Sequence, residues 1–269
     1  MSYTNYDCTY RRNKITLPPG ARMDSLFTPT SDKKFALGTI LEMDDGTGRM
    51  FRYCYNGAVA LTRCFMGASE APHANGYEIA QTGYDFANGD QVISILLTTG
   101  HGYADDELID GFLYFGKSPT DGFTVGDFYI IKSNKITTSD TVMKIEIADE
   151  GGLRLSTAAT SDDNEISVMK NPYHSVVVNP TSQAAIVVGV PLVDVAINYY
   201  YFAQYRGPCP LIVDDGETIV IGEPVGKPGT AGDTGACGVV ANDGTDCVWG
   251  TVMQIAATDE PAIVNLMLP

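Results

Sequence analysis

Short segments in which apolar and polar residues alternate recur along most of the chain, as in β-strands that bury one face. The clearest is Met143-Lys144-Ile145-Glu146-Ile147, where every second residue is apolar. In Phe51-Arg52-Tyr53-Cys54-Tyr55 the three aromatic residues fall on one face of a predicted strand. No segment combines apolar residues at i, i+3, i+4 and i+7 with capping residues, as an amphipathic helix requires. The pattern therefore predicts an all-β fold.

The other predicted strands are short and separated by glycine, proline and polar residues. They cover residues 91–98, 112–115, 128–131, 153–156, 175–178, 184–195, 199–202, 211–213, 218–221, 248–255 and 262–268. Asn56-Gly57 is a strong hairpin signal. A glycine followed by an acid precedes a predicted strand at Gly89-Asp90, Gly126-Asp127 and Gly222-Glu223. These features predict one or two β-sandwich or barrel-like units of short antiparallel strands.

Proline and small polar residues divide the chain into three predicted regions. Residues 1–34 contain Pro18-Pro19-Gly20 and Thr28-Pro29-Thr30, which predict an extended N-terminal arm. A polar stretch over residues 157–165 indicates a boundary. We therefore expect a β domain over residues 35–165, and over residues 166–269 a second β domain or a continuation of the same unit.

Charge is distributed unevenly. The 269 residues hold 17 Lys and Arg against 33 Asp and Glu, a net charge of −16, which argues against a nucleic-acid partner. The arm is nevertheless basic, so it is a candidate for docking on an acidic neighbour; the alternative is a loosely ordered terminus. Its basic residues are Arg11, Arg12, Lys14, Arg22, Lys33 and Lys34. Neither a bilayer-spanning apolar run nor a signal-peptide core is present, so we expect folding in a cytoplasm and no membrane partner.

The sequence shows no motif that carries catalysis or metal binding. The six cysteines lack zinc-type spacing, and buried reduced thiols are favoured over Cys54–Cys64 or Cys237–Cys247 disulfides. H-E-x-x-H and G-x-S-x-G motifs are absent. His101 with residues 105–107 is interpreted as part of an acidic turn rather than as a cation site. We expect no catalytic residue, no metal and no cofactor.

The C-terminal part of the chain carries a family resemblance. It combines the aromatic strand Tyr200-Tyr201-Phe202-Ala203-Gln204-Tyr205 leading to Gly207-Pro208, the segment Glu217-Thr218-Ile219-Val220-Ile221-Gly222-Glu223, and Cys247-Val248-Trp249-Gly250-Thr251. In this order of strands and glycine turns the chain resembles the capsid decoration proteins of tailed bacteriophages, also called cement or head-stabilising proteins.

The resemblance implies a non-enzymatic structural protein made in the host bacterial cytoplasm and placed on the outer surface of the virion head. Such proteins commonly form homotrimers and bind the major capsid protein. The six basic arm residues are then candidate capsid contacts. The candidate subunit-interface residues are aromatic: Tyr199, Tyr200, Tyr201, Phe202 and Tyr205.

Two alternatives stay open. The aromatic stretch and the glycine series over residues 226–238 are compatible with a receptor-binding or carbohydrate-binding component of a tail or baseplate. The abundance of carboxylates is the sole argument for a glycan-cleaving enzyme.

Overall fold

The computed structural model describes residues 14–17, 26–73, 75–80, 86–97, 102–117, 127–137, 141–154, 165–180, 185–228, 234–240 and 247–269. The chain forms two compact units. Residues 1–71 and 172–269 make up the first, here called the body unit, and residues 72–171 make up the second, here called the inserted unit. The described residues contain strands and no α-helix, which confirms the all-β prediction.

Seventeen strands are formed by the described residues. They are β1 (Lys14–Leu17), β2 (Ile40–Met43), β3 (Met50–Tyr55), β4 (Gly67–Ala68), β5 (Ile79–Ala80), β6 (Val92–Leu96), β7 (Phe112–Lys117), β8 (Phe128–Ile136), β9 (Val142–Ile147), β10 (Glu165–Met169), β11 (Val177–Val178), β12 (Val187–Pro191), β13 (Tyr200–Ile212), β14 (Pro224–Gly226), β15 (Gly238–Val239), β16 (Val248–Gln254) and β17 (Pro261–Met267).

The body unit is organised around the longest strand, β13. Its sheet runs in the order β1-β2-β3-β13-β17-β16-β14-β15, with β4, β11 and β12 joined at the side. β13 pairs with β3 over residues 200–206 and with β17 over residues 206–212. One strand therefore joins two halves of the sheet whose other strands come from opposite ends of the sequence.

A bulge between Gln204 and Arg206 marks the point where β13 changes partners. Gly207 has a φ of 80°, and a Cβ there would lie 3.0 Å from the backbone of Arg49, so glycine is required. The buried Gln204 side chain donates from Nε2 to the carbonyl oxygens of Arg206 (3.0 Å) and Pro208 (2.8 Å). The change of partner therefore leaves these carbonyls hydrogen-bonded.

Prolines 208 and 210 lie within this strand without costing it a hydrogen bond to β17. The N–H of Ile212 donates to the carbonyl of Cys64 at 2.9 Å, away from β17. Because backbone groups alternate in direction along a strand, the nitrogens of Pro208 and Pro210 also face away from β17. The apolar pattern predicts separate strands before and after Gly207-Pro208. In the structure these two residues lie inside one strand.

Three clusters of buried side chains form the core of the body unit. One lies around Phe51, Tyr53 and Phe202, another around Cys54, Tyr201 and Ala203, and the third around Cys209, Trp249 and Val264. Phe202 and Tyr201 belong to different clusters because successive strand residues point to opposite faces. Both faces of β13 are thus covered.

The inserted unit is a sheet in the order β5-β10-β7-β8-β9-β6. In β9 the side chains of Met143, Ile145 and Ile147 are buried and Lys144 is exposed, so the alternation predicted there is confirmed. Asn134 is buried among them; its Oδ1 accepts from the N–H of Leu108 at 2.7 Å, and its Nδ2 donates to the Ala104 carbonyl at 2.9 Å. This amide holds the turn before β7 against the sheet.

Part of the predicted arm belongs to the body unit. Strand β1 pairs in parallel with β2, and Ile15 packs on the core cluster that contains the buried Leu26. Thr30 forms a β-bridge with Tyr200. The expected start of the β domain at residue 35 is therefore wrong, because β1, Leu26 and Thr30 are already part of the body unit. Residues 1–13 and 18–25, which carry the rest of the arm, lie outside the described residues.

The division into units also differs from the expected linear one. Strand β10, which begins at Glu165, pairs with β5 and β7 inside the inserted unit, and the chain returns to the body unit at Pro172. The polar stretch at residues 157–165 precedes a strand of the same unit. Strand pairing between distant segments sets the boundary, and local composition does not record it.

Candidate interaction surfaces

The structure describes part of the basic residue set proposed to contact a capsid. Lys14 begins strand β1, Lys33 is half-buried and Lys34 is exposed. The backbone N–H of Lys34 donates to the Tyr53 hydroxyl at 2.9 Å, which ties this segment to the core. Arg11, Arg12 and Arg22 lie outside the described residues.

The aromatic residues expected at a subunit interface are mostly core residues. Tyr201, Phe202 and Tyr205 are each at most 5% exposed. Tyr200 stacks on Tyr53, with ring centroids 5.7 Å apart and planes 8° apart. Because β13 is a central strand covered on both faces, three of the five side chains are inaccessible to another subunit. Tyr199, which precedes the strand, is 37% exposed and is the most accessible of the set.

The acidic turn at residues 105–107 is held by hydrogen bonds within the inserted unit. Asp105 accepts from the N–H of Ile136 at 2.8 Å, and Glu107 accepts from the N–H of Ala104 at 2.7 Å and forms an ion pair with Lys170. Within the described ranges, no three His, Cys, Asp or Glu side chains are grouped to hold a metal ion. The acidic side chains of this turn therefore hold the backbone and Lys170 in place. His101 lies outside the described residues.

The described cysteines are free thiols. Cys54, Cys209 and Cys237 are buried, Cys64 is half-buried and Cys247 is exposed. Burial raises the pKa of Cys237 to about 12 and raises the pKa of Cys54 further. Both thiols are therefore protonated at neutral pH and act as small apolar core residues rather than nucleophiles.

A turn at one end of the body-unit sheet exposes apolar side chains. Val220 is 54% exposed and Ile221 is 64% exposed, although residues 218–221 are predicted to form a strand. They occupy the first two positions of a β-turn that ends at Glu223 and has Gly222 at its third position, with a φ of 88° as in a type II turn. Just before the turn, Ile219 is buried and anchors the segment to the core.

Strand β16 lies beside this turn, and two further exposed apolar residues follow Val252 in the sequence, one in the strand and one just after it. The N–H of Gly222 donates to the Val252 carbonyl, and the N–H of Val252 donates to the Glu223 carbonyl, both at 2.9 Å. Met253 follows directly and is 50% exposed, and Ile255 is 52% exposed. We call Val220, Ile221, Met253 and Ile255 the apolar tip.

The inserted unit exposes aromatic residues on one face of its sheet. Tyr114 of β7 lies opposite Phe128 of β8, and these residues are 37% and 50% exposed. The rings of Phe112 and Phe128 have centroids 4.9 Å apart. Their neighbours Leu113 and Tyr129 point into the core. We call Phe112, Tyr114 and Phe128 the aromatic face.

Neither surface is recognised by sequence reasoning alone. An apolar run such as Ile219-Val220-Ile221 predicts a buried strand, and its exposure becomes visible only when the partners of β14 and β16 are known. The signal that the sequence did carry is Gly222-Glu223, because a turn at these residues places Val220 and Ile221 at a bend instead of inside a strand.

The described residues contain no helix of the length and apolarity needed to cross a membrane. Comparison of the chain with protein-family models, with curated proteins and with solved structures finds no match in any of the three.

Proposed function

We propose that the chain is a structural virion protein that binds the outer surface of a phage head, as a homotrimer, and stabilises contacts between major capsid subunits. On this proposal its role is binding and not catalysis.

The observation that carries the proposal is that an acidic, all-β body exposes apolar side chains in defined places. Exposed apolar patches mark interaction sites, because leaving them in water is unfavourable. The apolar tip is formed by a hydrogen-bonded turn and strand, so its exposure is built into the fold. The family resemblance of the C-terminal segment, which includes the tip, supports a capsid as the partner.

Binding to heads tests the proposal directly. Expanded heads lacking this chain, assembled from the major capsid protein of the phage that encodes it, are mixed with the purified chain and sedimented through a sucrose cushion. We expect co-sedimentation at a fixed number of copies per head, while an unrelated acidic protein of similar size stays in the supernatant. Light scattering of the free chain tests the trimer. Absence of the chain from the head fraction contradicts the proposed function.

The basic residues need a substitution test rather than a deletion. Removal of residues 1–34 would also remove β1 and the buried Leu26, and so would damage the fold. Changing Arg11, Arg12 and Arg22 to glutamine removes charge and leaves the paired segment intact. If these residues contact the capsid, head binding falls and becomes less sensitive to salt; unchanged binding removes them from the contact.

The aromatic face favours a second candidate function, binding of a carbohydrate by a tail or baseplate protein. Flat, half-exposed rings on a sheet suit stacking on sugar rings. Calorimetry with host surface polysaccharide is the measurement, with Tyr114→Ala/Phe128→Ala as the test variant. Val92→Ala, at a residue of the same unit that is 59% exposed, is the control. Polysaccharide binding that is lost in the double variant, without binding to heads, supports this candidate over the first.

A further inference from the structure

The apolar tip has side chains that the fold of the body unit does not require. Val220 and Ile221 are β-branched, and such residues are unusual in exposed turns, where glycine, asparagine, aspartate and serine predominate. Their neighbours Ile219 and Val225 are 5% and 0% exposed and supply the packing that anchors this segment. A serine at 220 or 221 would meet the same backbone requirements, so the apolar side chains call for another explanation.

Hydrogen bonds within the turn and to strand β16 order the turn without any partner. The N–H of Glu223 donates to the Val220 carbonyl at 3.1 Å, and the Glu223 carboxylate accepts from the N–H of Val220 at 2.9 Å. The two hydrogen bonds to Val252 fix the turn to strand β16. A binding element ordered in this way loses little conformational entropy on association.

The charge around the tip indicates the character of the partner. Glu223 lies in the turn itself, and Asp259 and Glu260 follow Ile255 in the loop that leads to β17. Residues 207–226 and 247–269 contain no lysine or arginine. A partner therefore has to offer an apolar recess bordered by basic side chains, since opposite charges favour encounter and fix register.

The same charges argue against symmetric pairing of the tips of two copies. Symmetric pairing of two tips would bring the Glu223 carboxylates of two copies together, and like charges at an interface oppose association. The occupant is thus a surface other than a second tip; a contact of the tip with another face of a second copy, as in a trimer, is distinguished below by the oligomeric state.

We propose that the Val220–Ile221 turn is the docking element that enters an apolar recess, bordered by lysine or arginine, on the major capsid protein. This inference rests on the function proposed above and assigns the face that meets the head.

Paired variants with a similar loss of exposed apolar surface test the inference. Val220→Ser/Ile221→Ser removes the apolar side chains of the turn. Val59→Ser/Ile186→Ser is the matched control, because Val59 is 58% and Ile186 is 52% exposed in the same unit. Circular dichroism and the urea midpoint first establish that both variants fold as the unchanged chain does. We then expect the test variant to bind heads about 10- to 100-fold more weakly, as for the loss of central anchor residues, and the control to bind normally.

Charge is tested separately by Glu223→Gln. The glutamine carbonyl oxygen can still accept from the N–H of Val220, so the turn is kept and the charge is lost. We expect a slower association rate and a weaker dependence of that rate on salt concentration.

Each result has a distinct meaning. If the unchanged chain does not bind heads, the proposed function fails and this inference fails with it. If the unchanged chain binds and Val220→Ser/Ile221→Ser binds equally well, the inference alone is overturned. A change in oligomeric state of that variant without a loss of head binding also overturns it, because the tip would then be a contact between copies of the chain.

Discussion

Two buried tyrosines on neighbouring strands of the body unit are expected to respond in opposite directions to loss of the hydroxyl group. Tyr53 and Tyr201 are each 2% exposed. The Tyr53 hydroxyl accepts a hydrogen bond from the N–H of Lys34 at 2.9 Å. The Tyr201 hydroxyl is buried and finds no hydrogen-bond partner among the described residues. Burial also raises the pKa of Tyr201 well above its ordinary value of 10, so the hydroxyl is neutral at neutral pH.

The size of each effect follows from these environments. A typical hydrogen bond contributes about 1 kcal/mol to stability, whereas a buried unsatisfied polar group costs roughly 1–3 kcal/mol. Phenylalanine keeps the ring in place and leaves no large cavity. Tyr53→Phe should therefore lower the free energy of unfolding by about 1 kcal/mol, and Tyr201→Phe should raise it by about 1 kcal/mol.

The protein contains a suitable probe for this measurement. Trp249 is the single tryptophan, is 1% exposed and packs in the core of the body unit, where both tyrosines lie. Urea unfolding followed by its fluorescence gives the midpoint and slope of that unit for the unchanged chain and both variants. A decrease in stability for Tyr201→Phe equal to that for Tyr53→Phe would refute the reasoning, since it would mean that the Tyr201 hydroxyl makes a favourable hydrogen bond.

Three further predictions concern two glycines, the carboxylate of Asp45 and the buried amide of Asn134. Gly207→Ala should lower the free energy of unfolding of the body unit by about 2 kcal/mol or more, because alanine there adds left-handed backbone strain and a close contact with the backbone of Arg49. Gly222→Ala, where nothing lies within 4 Å of the added Cβ, should cost only the strain of about 1 kcal/mol. Equal losses for the two variants in urea unfolding would contradict this. Hydrogen bonds from Thr47 and then Arg49 lower the pKa of Asp45 to about 2, so its stabilising contribution is complete above the ordinary value of 3.8 and is lost as pH falls toward 2. In an NMR titration Thr47→Val should raise this pKa, and an unchanged value would refute the assigned cause. Asn134→Leu should lower inserted-unit stability by about 2 kcal/mol through its two lost backbone hydrogen bonds, seen as faster hydrogen exchange at residues 104–108; unaltered exchange would contradict that role.

The sequence by itself determined the class of structure. Alternation in Met143–Ile147 and the glycine-acid turn before β14 are local signals, because a strand repeats every two residues and a tight turn needs particular backbone angles. These signals depend only on residues that are neighbours in the sequence, and the structure confirms both. The charge asymmetry between the two ends of the chain is likewise a property of the sequence alone.

Only the tertiary structure decided which apolar residues are covered. Tyr201 and Phe202 are buried because β13 became a central strand, and Val220 and Ile221 are exposed because the chain turns at Gly222 before reaching its partner strand. The limits of the inserted unit are also set by tertiary pairing. Strands β3 and β13 lie on either side of this unit in the sequence, more than a hundred residues apart, and pair with each other in the body unit. Apolar pattern reports a side chain's preference for burial, but the pairing of distant strands determines whether another element lies there to cover it.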